Sequence, residues 1–314
     1  MRFVSLLFAA AMTLNPLVAV AQTANQGGPL IDYGTRFIPE IAAKGMVSGP
    51  EKLASEAGLS MLKRGGNAVD AAVATGFALA VTLPRAGNLA GGGFMLVHLA
   101  KTDEQVFIDY REMAPASASR DMFLNEDGTV NKQMAYNSPS AAGIPGTVAG
   151  MIHALENYGT LDLKTVIQPA IELAEQGFRV PAALHLNLRA ATKRLARNEE
   201  AHRMHLAGTG TAPAKGSLFK QPDLAATLKR ISDNGTDGFY KGKTAALIVE
   251  EMQRNGGLIT RSDLANYRAL ERQPVRSMFR GYELVSAPPP SSGGIHVSQI
   301  LTLLEPFPLK QLGH

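Results

Sequence analysis

The 314-residue sequence contains no cysteine. Disulfide staples, thiolate nucleophiles and cysteine-ligated metals are therefore excluded. The absence is compatible with an oxidising compartment, where stray thiols are a liability. Charge of one sign is also scarce: 31 Lys and Arg against 27 Asp and Glu leave a formal charge of +4. No dense basic block is interleaved with aromatics, so nucleic-acid binding has little support. After the first residues no apolar run is long enough to span a bilayer, and a soluble mature chain off the membrane is expected. Motifs are missing too. There is no Gly-x-Gly-x-x-Gly between strand and helix, no phosphate-loop Gly-Lys-Ser/Thr, no His-Glu-x-x-His and no Gly-x-Ser-x-Gly elbow.

What is present begins with a leader. Arg2 precedes an apolar stretch from Phe3 to Ala11, and a second apolar patch ends Leu17-Val-Ala-Val-Ala21. Ala19 and Ala21 fit a small-x-small cleavage site, so residues 1–21 read as a secretory signal peptide. Asn15 and Pro16 interrupt the run and argue against a membrane anchor. Export to the periplasm or the exterior follows. The rest, residues 22–314, shows no repeat and no clear linker.

The coarse pattern is helices, a glycine turn, strands, then many helices, which predicts a mixed α+β fold. A helix is expected from Pro50 to about Lys63, stopped by Gly65 and Gly66. Asn67 caps a second helix, Ala68 to about Val81, with Asp70 in the capping-box position. This helix is apolar nearly all round and should be buried against the sheet. A charge at Ala72 or Val73 should accordingly cost several kcal/mol. Phe94 to Leu99 and Gln105 to Arg111 read as a hairpin, which would put Asp109 and Arg111 on one face. Helices are further expected over 147–158, over 163–176 with a break or kink at Pro169, over 189–203, over 222–233 and over 241–254. Ser262 should cap a short helix. Val275 to Ser286 resembles one strand loosened by Gly281, and a last helix should span about Val297 to Leu304.

Two features draw attention as chemistry. Gly91-Gly-Gly93 opens a strand, where a side chain would obstruct close backbone approach. Arg111, flanked by Asp109 and Glu112, can present a planar fork to a carboxylate. Taken alone, an arginine so flanked fits a structural ion pair. His202 and His205, near Glu199 and Glu200, fit a solvated helix face better than a metal site. Ser291 and Ser292 before His296 fit a helix cap better than a hydrolase. Asp127-Gly128 is a turn signal. No serine–base, cysteine–base or metal set is complete, so no catalytic residue, no metal ligand and no cofactor is assigned.

Seven ordered segments carry a resemblance: Gly65-Gly-Asn-Ala-Val-Asp-Ala-Ala72, Gly87-Asn-Leu-Ala-Gly-Gly-Gly-Phe94, Asp109-Tyr-Arg-Glu-Met-Ala-Pro115, Gly143-Ile-Pro-Gly-Thr-Val-Ala-Gly150, Phe239-Tyr-Lys-Gly242, Asn255-Gly-Gly-Leu-Ile-Thr260 and Pro288-Pro-Pro-Ser-Ser-Gly-Gly294. Together they resemble the large subunit of the gamma-glutamyltransferase (gamma-glutamyl transpeptidase) family. Where that family often has four glycines, this chain has Ala90-Gly-Gly-Gly. The resemblance implies a four-layer αββα N-terminal nucleophile hydrolase sandwich, of which residues 22–314 are the large-subunit part. It also implies a precursor that cleaves itself into two subunits and uses the new N-terminal threonine as nucleophile. It further implies that the gamma-glutamyl group of glutathione and related amides passes to water, an amino acid or a peptide. Arg111 corresponds to the arginine that holds the substrate α-carboxylate. The threonine junction is absent from these residues, so the chain alone is expected to lack turnover and to leave an open sheet edge and an uncovered apolar face. A small subunit is the implied partner. The alternatives are an exported carboxylate-binding protein without catalysis and a cephalosporin-acylase-like amide hydrolase. The run Tyr110-Arg111-Glu112-Met113 favours gamma-glutamyl recognition over the latter.

Overall fold

Helix α1 (Lys52–Lys63) starts where the Glu51 carboxylate accepts the Ala54 N–H at 3.0 Å, so Pro50 stands before the cap and not inside the helix. Gly65, at φ +87°, ends it. Asn67 and Asp70 then form the expected capping box at the head of α2 (Ala68–Thr82). The computed structural model describes residues 41–206 and 208–312, and those from Gly45 onward belong to one unit. The expected signal peptide at 1–21 lies outside the described residues.

After α2 comes a hairpin of β1 (Phe94–Leu99) and β2 (Glu104–Asp109). A largely helical stretch follows: α3 (Lys132–Asn137), α4 (Thr147–Tyr158), α5 (Leu163–Gln176), the short β3 (Phe178–Arg179), α6 (Ala182–Leu195), α7 (Glu199–His205) and β4 (Leu218–Phe219). It continues through α8 (Pro222–Asn234), α9 (Asp237–Tyr240), α10 (Gly242–Asn255) and α11 (Arg261–Asn266). The chain then returns to the sheet as β5 (Leu270–Arg272) and makes a hairpin of β6 (Val275–Phe279) and β7 (Tyr282–Ser286), followed by α12 (Gly293–Leu304) and α13 (Leu309–Leu312). This is the α+β architecture the sequence implies.

The main sheet has the order β1-β2-β5, antiparallel throughout. Its register sets Phe94 opposite Asp109 and Phe107 opposite Arg272. Both faces of β2 are covered, since Val106, Phe107, Ile108 and Asp109 are all buried.

Several expectations need correction. Helix α2 packs chiefly against α1, α4 and α5. Its Val73 is fully buried, but Ala72 is exposed. Ala68, one turn earlier, is exposed as well. Helix α5 runs unbroken over Pro169. The single helix expected over 189–203 is two, because the Asn198 side chain accepts the Ala201 N–H and starts α7 afresh. Leu184 and Leu188 anchor α6 in the core. Helix α11 is capped by Thr260 in a box with Asp263, and Ser262 lies inside it. The strand expected over 275–286 is the hairpin β6–β7. Arg280 and Gly281, at φ +50° and +84°, form its turn, and consecutive left-handed residues are what a tight hairpin turn needs.

Asp70 joins the helices. Its carboxylate is fully buried and accepts the N–H groups of Asn67 (2.7 Å), Thr160 (2.9 Å) and Leu161 (3.0 Å) and the Thr160 hydroxyl (2.7 Å). Burial pushes its pKa up, but these hydrogen bonds outweigh burial and hold it below the ordinary carboxylate value. At the other end, α12 buries only Gly294 and exposes Ile295, Val297, Ile300 and Leu303, while Met278 and Tyr282 of the neighbouring hairpin are exposed as well. Among the described residues no helix is long and apolar enough to cross a membrane.

Val73→Asp should cost several kcal/mol, because it buries an unpaired charge, whereas Ala72→Asp at an exposed site should stay within about 0.5 kcal/mol. Urea melts of the two variants check this. Asp70→Ala should cost about 2–4 kcal/mol by leaving several N–H groups unpaired. Because the folded-state pKa of Asp70 is depressed, its contribution is fully present above the unfolded value of about 3.9 and is lost as pH falls through the folded one. The gap between wild type and Asp70→Ala should therefore close on acidification.

Candidate functional site

Strand β2 ends at Asp109, two residues short of the expected end, because the Asp109 side chain takes over from the ladder. Its Oδ1 accepts the Arg111 N–H at 3.0 Å. Tyr110 still exchanges backbone hydrogen bonds with Gly93, at 3.1 and 3.3 Å. The chain then leaves the sheet, and Arg111 does not share a strand face with Asp109. The Arg111 carbonyl accepts the phenol O–H of Tyr267 at 2.8 Å. Two residues on, Met113 and Ile144 exchange backbone bonds at 2.7 and 3.3 Å. The backbone of Arg111 is thus held on both sides, while its side chain is exposed.

The ion pair that the flanking acids suggest does not form. Asp109, 6% exposed, is paired instead with Arg272 from β5, whose Nε lies 2.6 Å from Oδ2. Glu112 lies against Gly92, where an added Cβ would come within 2.7 Å of its Oε2. Among the described residues the Arg111 guanidinium has no ion-pair or hydrogen-bond partner. It offers a fork of donors to an incoming carboxylate.

The glycine turn serves close packing. Gly91 donates to Asn88 Oδ1 at 2.8 Å, and its carbonyl accepts the N–H groups of Gly146 (2.7 Å) and Thr147 (3.0 Å) at the start of α4. A Cβ at Gly92 would meet the Tyr110 carbonyl and the Glu112 N–H, both at 2.7 Å. One at Gly93 or Gly150 would strike the Tyr110 ring, and one at Gly146 would strike the Tyr110 carbonyl and the Tyr267 phenol. The tight-entry reading of Gly91–Gly93 therefore accounts for what the structure shows.

Tyr267 belongs to a buried pair that sequence reasoning did not single out. Its ring stacks on Tyr240, with centroids 5.8 Å apart and planes 4° from parallel. The Tyr240 hydroxyl donates to the Pro145 carbonyl at 2.8 Å and accepts from the Ala149 N–H at 3.3 Å. Burial raises both phenols above their ordinary pKa, and nearby Asp109, Glu112 and Tyr110 raise Tyr267 further. Both stay protonated donors at neutral pH. Asp263 ties the neighbouring loop down by accepting the Ala116 N–H at 3.0 Å. Tyr240 lies in the quoted segment Phe239-Tyr-Lys-Gly242, but nothing local marks its pairing with Tyr267, before which the Thr260/Asp263 cap starts a short helix.

The other candidates lie apart from this site. His205 is not on a solvated face. Its Nδ1 is buried and has no partner among the described residues, its ring lies 6.4 Å from that of Phe219, and burial lowers its pKa. No cluster of metal-ligating side chains is found among the described residues. Ser291 Oγ accepts the Gly293 N–H at 3.2 Å at the start of α12, as a capping hydroxyl would, while Ser292 at the N-cap makes no side-chain cap bond.

Comparison with known proteins gives concordant matches. The family model described as gamma-glutamyltranspeptidase matches residues 54–314. The glutathione hydrolase proenzyme of Escherichia coli (strain K12) is 49% identical over 288 residues, covering 91% of this chain and 50% of that protein. The acylase ACY 1 proenzyme of Pseudomonas sp. (strain SE83) is 40% identical over 288 residues, 90% of this chain and 51% of that one. Among solved structures, Helicobacter pylori gamma-glutamyltranspeptidase superposes with a TM-score of 0.86 at 44% identity, covering 88% of this chain and 79% of that chain. The chain spans about half the length of the curated relatives it matches. The likeness bears out the expected α+β fold of the N-terminal nucleophile hydrolases.

Gly146→Ala should lower stability by about 2 kcal/mol or more, since its methyl group has to displace either the Tyr110 backbone or the Tyr267 phenol. A thermal melt indistinguishable from wild type would contradict this packing.

Proposed function

The chain belongs to the gamma-glutamyltranspeptidase family, and from that premise we propose that it supplies the carboxylate-holding half of an exported enzyme that transfers or hydrolyses gamma-glutamyl groups of glutathione and related amides. The observation that carries the proposal is Arg111: its backbone is fixed by Tyr267 and Asp109, and its guanidinium is exposed and unpaired among the described residues. A bidentate pair with the α-carboxylate of the gamma-glutamyl group is the use such a fork suits. Arg111 orients the substrate and takes no part in bond breaking. The Gly91–Gly93 turn lies on the same side by analogy.

An exposed arginine–carboxylate pair is worth at most about 1 kcal/mol. A clamp strong enough for catalysis therefore needs a second wall that excludes water. The nucleophile must also come from elsewhere, because the described residues hold no complete nucleophile–base set. Both needs point to a second subunit from a longer precursor, consistent with relatives of twice the length that are named as proenzymes. On this reading a threonine hydroxyl of that subunit attacks the gamma-carbonyl with its own amine as base. The acyl group then goes to water, an amino acid or a peptide. A leader at residues 1–21 would direct the product to the periplasm or the exterior.

The acylase relative at 40% identity keeps a second reading in view, an amide hydrolase that does not depend on Arg111 for its substrate. Arg111 separates the two. In an active enzyme containing this chain, Arg111→Ala and Arg111→Lys should raise KM for a gamma-glutamyl anilide by about 30-fold or more, as loss of about 2–5 kcal/mol implies, while self-cleavage persists. Unchanged KM in both would remove the clamp and favour the acylase reading. The 314-residue chain alone should release no chromophore from the same anilide.

A further inference from the structure

Arg111 has a carboxylate two residues before it and another directly after it, yet pairs with neither. We propose that Arg272 is a positioning residue that keeps the Arg111 guanidinium available to a ligand carboxylate by neutralising Asp109 in its place. The inference rests on the reading of Arg111 as the clamp.

A carboxylate as buried as Asp109 requires a cationic or strongly donating partner. Two arginines are candidates to provide one. Arg111 is two residues along the same chain. Arg272 stands opposite Phe107 in the β2–β5 ladder, on the diagonal from Asp109, a separation long side chains span. Arg272 occupies the position: its Nε meets Oδ2 at 2.6 Å. The second oxygen is taken by the backbone N–H of Arg111. Both oxygens of Asp109 are thereby engaged, and the side chain of Arg111 is left over. Glu112, the other acid in reach, lies against Gly92. Tyr267 holds the Arg111 carbonyl, so a change at Arg272 would redirect the guanidinium and not the main chain.

Without Arg272 the buried Asp109 has one nearby replacement, the guanidinium of Arg111. A ligand carboxylate would then compete with an intramolecular one, whose effective concentration is set by the short tether between them. Binding would weaken while the chemical step, which does not involve these groups, would not.

The test is steady-state kinetics on a gamma-glutamyl anilide with an active enzyme that contains this chain and its nucleophile-bearing half. Arg272→Met should raise KM about tenfold or more with kcat changed less than about threefold, the signature of lost substrate binding. Adding Asp109→Asn to Arg272→Met removes the competing charge and should recover most of that loss, to within about threefold of the parent KM. A purely structural role predicts the opposite, a double variant at least as impaired as the single one. A crystal structure of Arg272→Met should show the Arg111 guanidinium folded onto Asp109. If Arg272→Met does not accumulate, Arg272→Gln, which keeps a hydrogen bond but no charge, should move KM in the same direction. Unchanged KM in a folded Arg272 variant, or no recovery in the double variant, would overturn the proposal. Arg111→Ala separates the two levels. If it too leaves KM unchanged, the clamp itself is wrong; if it raises KM while the Arg272 variants are silent, only the role of Arg272 is lost.

Discussion

Volume, or the lack of it, fixes the position of Arg111. Three stretches of backbone (residues 91–93, 110–113 and 143–150) meet with no space for side chains at Gly92, Gly146 or Gly150. The Tyr110 ring fills what space exists and lies against Gly93 on one side and Gly150 on the other. Close packing of this kind admits few alternatives, because even a methylene must be accommodated by moving something else. The loop after β2 thus inherits the rigidity of the sheet although it is no longer part of it. The backbone that presents Arg111 is therefore already in place, and only its exposed side chain remains to be ordered by a partner.

Electrostatics adds selectivity to that rigidity. Around the loop every buried polar group has a settled partner: Asp109 with Arg272, Tyr267 with the Arg111 carbonyl, Tyr240 with Pro145, Asp263 with Ala116. The phenols keep their protons at neutral pH because burial opposes the phenolate. Among the described residues the Arg111 guanidinium has no such partner. On the reading of Arg111 as a clamp, this is the group that would meet a substrate carboxylate.

The parts of this arrangement that were legible in the sequence are the local ones. Asn67 with Asp70 and Gly65 after α1 act within a turn of themselves, and each does in the structure what its position implies. The helices over 147–158 and 163–176 agree to the residue, since amphipathic spacing is also a short-range signal. The parts that were not legible are pairings across the chain. Arg272 is 163 residues from Asp109, and Tyr267 is 156 residues from Arg111. Nothing in the run Tyr267-Arg-Ala-Leu-Glu-Arg272 indicates which acid or carbonyl it will meet. The error at Ala72 has the same origin. A helix apolar on every side is inferred to be covered on every side, but coverage depends on which neighbours the fold delivers. The hairpin at Arg280-Gly281 was missed because an arginine stands where asparagine or aspartate would have advertised a left-handed turn.

Helix α12 bears on how the molecule behaves in a tube. Ile295, Val297, Ile300 and Leu303 turn outward together, with Met278 and Tyr282 beside them, and water gains entropy whenever such surfaces meet. Their attraction weakens on cooling and is strengthened, not screened, by kosmotropic salts. Contact between such faces near the β6–β7 hairpin is one route by which this polypeptide would self-associate, and a mild chaotrope would weaken it.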